Sequence, residues 1–201
     1  MLVSALSLFL SQLNQYIHQA DGSPAGTPSV AVWGNIAQLD NTETATALDN
    51  HLVLTLVNVE EEKTLKNSST VSRDANGNVG YHNPPLHLNL FLLFTSNYRN
   101  YETALKRLSQ TMAFFQGKQT FTLGNSPGTG QNATPFADLS LTMDLLSLSF
   151  EEVNHLWGSL GGKQMPFVAY RGRLITLRDR RLLDGGAPVR EIDIIGRDAT
   201  V

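Results

Sequence analysis

Three consecutive carboxylates, Glu60–Glu62 in the stretch LVNVEEEKTLKN (56–67), are the densest group of ionisable side chains that could do chemistry here. In an extended chain successive side chains point to opposite sides, so only Glu60 and Glu62 share a face. Two like charges on one face raise the pKa of one of them, which is what an acid/base pair requires. With His51 or His87 the same carboxylates would make a site for a metal-dependent hydrolase. The competing reading needs no chemistry: the glutamates end a buried strand and carry its rim into solvent.

The remaining residue patterns offer little to complete a catalytic site. Histidines stand at 18, 51, 82, 87 and 155 with no HxH or HExxH pair, and His82 and His87 flank a Pro-Pro turn. GNSPGTGQ (124–131) has the glycines of a phosphate loop but lacks the GK[ST] ending that places a lysine on the phosphates. Asn67 and Asn132 head glycosylation sequons, which carry no meaning in a chain that does not pass through an ER. The basic cluster RDRR (178–181) has Asp179 and Asp184 beside it and no interleaved aromatic to stack bases, so it reads as a protein contact or a solvated turn. No catalytic residue, cofactor or metal ligand is assigned. A small-molecule pocket near Trp33 or Trp157 is the third alternative, although both tryptophans read more simply as core.

Composition narrows the class. A chain of 201 residues can bury one sizeable core. Charged residues make up only 16%, below the roughly 25% of ordinary soluble domains, which hints at surface covered by a partner. There is no cysteine, so disulfides, thiol catalysis and cysteine-ligated metals are excluded. The apolar first ten residues have no Lys or Arg ahead of them and make a poor signal peptide. No apolar run reaches membrane-spanning length, so a cytosolic, soluble product is expected. Charge is uneven: residues 1–62 hold seven acids and no Lys or Arg, residues 63–162 net +1, and residues 163–201 net +3. An acidic front and basic back lack the broad positive face of a nucleic-acid binder. They suit head-to-tail contact between copies.

The elements that must position these residues follow from periodicity. Leu2, Leu6, Phe9, Leu10, Leu13 and Ile17 mark an amphipathic helix over 1–19. A short strand is expected at 30–33, and the nearly continuous apolar run at 51–57 reads as a strand buried on both faces. Residues 86–94 alternate as a strand, and 98–116 carry a helical stripe of Tyr101, Leu105, Leu108, Met112 and Phe115. Strands near 120–123 and over 137–148 precede a capping box, Ser149 with Glu152, that opens a third helix ending at Gly161–Gly162. Two last strands are expected at 166–177 and 190–195. Segments 21–28, 63–85 and 124–135 read as long flexible loops, the second a possible hairpin arm. The expectation is a single α+β domain over 1–201, with a largely antiparallel sheet packed by three helices and no internal repeat.

Four stretches in order, LSQLNQYI (10–17), LVLTLVNVEEEKTLKN (52–67), PPLHLNLFLLFTSNYRNYETALKRLSQTMAFFQGKQTF (84–121) and LSFEEVNHLWGSLGGKQMPFVAYRGRLI (148–175), resemble one family. It is the tube-terminator (cap) proteins of extracellular contractile injection systems, the phage-tail-like particles of the antifeeding-prophage and virulence-cassette type. The resemblance implies a structural subunit of a hexameric ring that caps the inner tube, stops its growth and docks the sheath end. Its implied partners are other copies of itself, the inner-tube protein and a sheath or sheath-terminal protein, with the length-measuring protein a further candidate. The implied location is the bacterial cytoplasm during assembly, then a released particle. No catalytic residue is carried over. Gly172, within RGR (171–173), stands where a bulkier strand residue is expected, and relatives often continue beyond the point matching Val201. In such a ring, Glu60, Glu61, Glu62 and Lys63 are the expected acidic-rim contacts, facing Arg171, Arg173, Arg178, Arg180 and Arg181 of a neighbour.

Overall fold

A computed structural model describes residues 2–24, 26–62, 64, 71–73, 78–81, 83–84, 86–126, 140–177 and 184–186. Helix α1 (Leu2–Asp21) leads to β1 (Ala31–Trp33), a short helix α2 (Thr42–Leu48) and β2 (His51–Glu61). Then come β3 (Val71–Arg73), β4 (Val79–Tyr81), β5 (Leu86–Asn97), α3 (Tyr101–Gly117), β6 (Thr120–Thr122), β7 (Ser140–Leu146), α4 (Phe150–Ser159), β8 (Phe167–Leu177) and β9 (Asp184–Gly186). The main sheet has six strands in the order β1-β2-β5-β8-β7-β6. Among the described strands of this sheet only the β1–β2 pair is parallel, so the largely antiparallel α+β expectation holds. A second sheet, β3-β4-β9, contains an antiparallel β3–β4 hairpin inside the 63–85 segment.

Helices cover both faces of the main sheet. On one face α1 and α3 bury Leu8, Phe9, Leu13, Ile17, Leu108 and Phe115 against Leu54 of β2, Leu92 and Phe94 of β5, Met143 of β7 and Tyr170 of β8. On the other face Trp157 of α4, Ile36 and Leu48 meet Val53, Leu93 and Ala169. Period-two alternation explains the split: along β2, Leu52 and Leu54 point one way and Val53 the other. Phe9, Phe94, Phe115 and Phe121 are essentially inaccessible. Burying each contributes roughly 2–3 kcal/mol before entropy is charged against it.

Caps set the helix ends. Gly22 adopts φ +64° after α1, with Ser23 N–H donating to the His18 carbonyl and Gly22 N–H to that of Gln19, a Schellman closure. Asn100 caps α3 through Thr103 N–H at 3.0 Å. The expected capping box is present: Ser149 N–H donates to Glu152 Oε2 at 2.7 Å, and Glu152 N–H donates to Ser149 Oγ. Asp21 then ties α1 to α3. Burial opposes its ionisation, but hydrogen bonds from Lys106, Arg107 and Gln110 outweigh it and hold the carboxyl far below the usual range.

Several expectations need correction. The described residues hold four α-helices rather than three: TETATAL (42–48) has no apolar stripe, and α2 is held by its Asn41 cap and one buried residue, Leu48. Trp33 is 43% exposed, not core, because β1 is an edge strand of three residues. On α3 the stripe is rotated. Ala104, Leu108, Thr111, Phe114 and Phe115 are buried, whereas Tyr101, Leu105 and Met112 are exposed. The expected strand over 137–148 is seen as Ser140–Leu146, and the one at 190–195 lies outside the described residues.

Two glycines are dictated by close approach. A Cβ on Gly172 would stand 2.9 Å from Leu141 Cδ1, so the glycine leaves room for a fully buried leucine on β7. A Cβ on Gly34 would lie 2.6 Å from Leu48 Cδ2 and 2.8 Å from Val53 Cγ1. Gly34→Ala is therefore expected to lower stability by about 1–3 kcal/mol in urea unfolding, as overpacking does. Gly158→Ala, on α4 with nothing within 4 Å, is expected to raise it by up to about 1 kcal/mol in the same assay.

Candidate functional site: a charged sheet face at the end of β2

The expected site residues come together on the sheet face that carries α2 and α4, beyond the end of α4's cover. Paired residues on neighbouring strands share a face. Phe91 of β5 stands opposite Asn58 on one side and Arg171 on the other, and Arg171 stands opposite Asp144. Glu60 pairs with Asn89, and Arg173 with Thr142. Four of the expected contacts, Glu60, Glu62, Arg171 and Arg173, therefore belong to one patch of one subunit, with Asp144 and Asn89 among them. Glu61, opposite Leu88, is on the other side of the strand. Lys63, Arg178, Arg180 and Arg181 lie outside the described residues.

Bulges make this arrangement possible. The β2–β5 register shifts between Leu56 and Asn58, and the β5–β8 register shifts between Leu88 and Leu90. Each shift changes which residues face the helices. Without the first, Asn58 and Glu60 would share the face of Leu54 and Leu56.

Glu62 is the most constrained of the carboxylates. Its N–H donates to the His87 carbonyl at 2.8 Å, continuing the ladder past the end of β2. Its Oε1 accepts from the Thr64 hydroxyl at 2.7 Å and from the Thr64 amide at 3.2 Å, and its Oε2 accepts from Asn89 Nδ2 at 3.0 Å. The Thr64 hydroxyl, then Asn89, then the Thr64 amide, with a smaller contribution from the Arg171 charge, bring its pKa down to about 2. A general acid at neutral pH needs the opposite shift. Glu60 Oε1 accepts from Asn58 Nδ2 at 3.1 Å, and Arg173 Nε pairs with Asp144 Oδ2. The imidazoles do not complete a centre. His51 opens β2, about 30 Å of strand away from Glu60, and His87 meets Glu62 through its carbonyl. Among the described residues no group of three or more His, Asp or Glu is placed to hold a metal.

Two pockets lie beside α4. Trp157 borders an open groove of about 520 Å³ between Phe150, Val153 and Phe167, lined by no ionisable side chain among the described residues. An apolar recess of about 140 Å³ lies between α4 and Val57, Phe91 and Leu146, below the roughly 300 Å³ of ordinary ligand sites. No described helix is long and apolar enough to cross a membrane. Sequence reasoning missed Asp144 and Asn89, since nothing local marks a residue that acts from across two strands.

Comparisons with known proteins bear on the fold and the family. The family model described as Pvc16 N-terminal domain matches residues 7–191. The chain is similar in fold to the PVC sheath/tube terminator of an extracellular contractile injection system in its extended state. That match has a TM-score of 0.57 at 11% identity, over 95% of this chain and 64% of that one. It is also similar to the anti-feeding prophage tube-terminating cap, with a TM-score of 0.53 at 12% identity over 73% of this chain. The chain spans 64% and 49% of those two proteins' own lengths. No curated protein sequence matches it.

The hydrogen bonds on Glu62 generate a measurable expectation. In Asn89→Ala the Glu62 carboxyl is expected to titrate at a higher pH, moving from about 2 toward the ordinary glutamate range, as followed by its side-chain NMR resonance. Because the folded pKa is depressed, Glu62 stabilises the fold above the unfolded value near pH 4.3. That contribution is lost as pH falls toward 2. Asp21 titrates in the same acid window, so the resonance, not overall acid stability, is the readout.

Proposed function

This chain belongs to the Pvc16 N-terminal domain family, and we propose that it is a structural subunit that caps and terminates the inner tube of a contractile, phage-tail-like injection particle and docks the end of its sheath. The observation that carries this reading is the family match over residues 7–191, supported by the likeness in fold to two proteins described as terminators of such tubes. The working form is a hexameric ring. Its partners are other copies of the chain, the inner-tube protein and a sheath or sheath-terminal protein, with the length-measuring protein as a further contact. It is assembled in the bacterial cytoplasm and leaves as part of the particle.

The role proposed is architectural, not catalytic. Glu62 is occupied in holding Thr64 and Asn89, which suits a residue that fixes the exit of the chain from β2. Capping requires one face that binds the last tube layer and another that does not recruit more tube subunit. The charged face at the end of β2 is a candidate for contact with a neighbouring copy. Arg171 and Arg173 already have acids beside them in their own subunit, so they anchor the patch, and Glu60 on this face and Glu61 on the opposite one can be changed without loss of the Glu62 contacts.

Electron microscopy of the purified chain mixed with polymerised tube protein tests the reading. Rings at one tube end and arrested elongation are expected; unaltered tube lengths with no end-bound density would overturn it. Replacing Glu60 and Glu61 with Lys is expected to reduce assembly at least about tenfold by light scattering while leaving the circular dichroism of the subunit unchanged. Undiminished assembly would remove these residues from the interface.

A further inference from the structure

Among the described residues, β2 and β7 are each covered over only part of their outer edge. β1 covers β2 only at Leu52–Leu54, and after Gly34 N–H donates to the Leu54 carbonyl the chain turns away. Along Leu56–Glu60 no described residue pairs with the outer edge of β2. At the far side, β6 covers β7 only at Ser140–Thr142, with Met143 N–H reaching the Gln119 carbonyl, and no described residue pairs with the outer edge of Asp144–Leu146. Open edges of this kind are templates for another strand.

The two edges match. Leu56, Leu92, Tyr170 and Leu145 form one row across β2, β5, β8 and β7. The two central residues of that row are buried, and its ends are leucines that are 36% and 57% exposed. Leu56 and Leu145 therefore share the α1/α3 face and sit at the same level. Strand direction also agrees: β2 and β7 run oppositely, so a β2 placed beside the β7 of an identically oriented copy continues the antiparallel alternation. Beside Leu145 lies a groove of about 400 Å³ lined by Met112, Gln116, Gln119, Met143 and Tyr170. It offers an apolar seat for the incoming Leu56 side chain.

We propose that Leu56 and Val57 of one copy add as a short antiparallel strand to Leu145 and Asp144 of the next, joining the sheets of neighbouring subunits head to tail. The junction rests on the reading of the chain as a ring subunit and supplies its contact: main-chain hydrogen bonds give the pairing, and Leu56 on Leu145 fixes the register. Because the two edges are different surfaces, the contact is heterologous and propagates around a ring. Val59 N–H already donates to its own Asn58 side chain at 2.9 Å, which limits the pairing to the residues before it.

The absence of native cysteine makes the test direct. Leu56→Cys and Leu145→Cys are made as separate single variants, with Val59→Cys as an alternative to Leu56→Cys that catches a shift in register. Within one copy β2 and β7 are three strand spacings apart, about 14 Å. That exceeds the ~7 Å Cα separation a disulfide can span. On oxidation with tube present, a mixture of Leu56→Cys or Val59→Cys with Leu145→Cys is expected to give a covalent dimer that neither single variant gives alone. The double variant is expected to give a ladder. Efficient cross-linking of a single variant alone would mean two-fold edge pairing and overturn the proposal. So would the absence of cross-link in both mixtures; rings still seen by microscopy would then leave the capping reading standing without this junction.

Discussion

Everything in this fold hangs on one contact, the cluster of rings where α1, α3 and the sheet meet. Phe9 of α1 stands 5.5 Å from Phe115 of α3 and 6.1 Å from Phe94 of β5, and Phe115 stands 4.6 Å from Tyr170 of β8. Phe121 of β6 closes the group, 5.8 Å from Phe9. These five side chains come from five elements spread between residues 9 and 170. Tilted and edge-to-face ring packing is directional as well as apolar. It therefore sets the rotation of α1 and α3 on the sheet and not merely their presence. Leu105 and Met112 are left outside because Leu108, Phe114 and Phe115 claim the inner face of α3.

With the rings on one side, β5 is committed to carrying a core on both faces, and the smaller core around Trp157 closes the second. That second layer is short. α4 is ten residues long and stops before the end of β2, so the sheet face beyond it is left to polar side chains. Asn58, Glu60, Glu62, Asn89, Asp144, Arg171 and Arg173 fill that space with hydrogen bonds and ion pairs drawn from four strands and the exit of β2. The patch is a consequence of incomplete helical cover, and its charges are largely balanced within the subunit. Balanced charge of this kind favours correct orientation and selectivity in a contact more than raw affinity.

Both ends of the sheet are finished by strands of only three residues. Short edge strands limit uncontrolled pairing, yet here part of β2 and of β7 has no partner strand among the described residues. In the ring proposed above, such partial cover would leave room for a short strand from a neighbouring copy and no more.

Much of this was legible in the sequence. α1, α3 and α4 followed from helical spacing and caps, and β2, β5 and β8 from apolar runs and alternation, because these are local properties of the chain. The resemblance carried by four ordered stretches agreed with the family that matches residues 7–191. α2 was hidden because its stability comes from Asn41 and Leu48 packing on Gly34, not from a stripe of its own. Which turn of α3 faces inward, and why position 172 must be glycine, depended on ring packing and on Leu141, which sit far away in sequence. The glutamates show the division most clearly. The sequence by itself determined that Glu60–Glu62 end a buried strand and carry a dense negative charge. Only the tertiary structure decided that a bulge puts Glu60 and Glu62 on one face with Arg171 and Arg173, while Glu61 takes the other, since register shifts and cross-strand neighbours are set by pairing between segments and not by the order of residues within one.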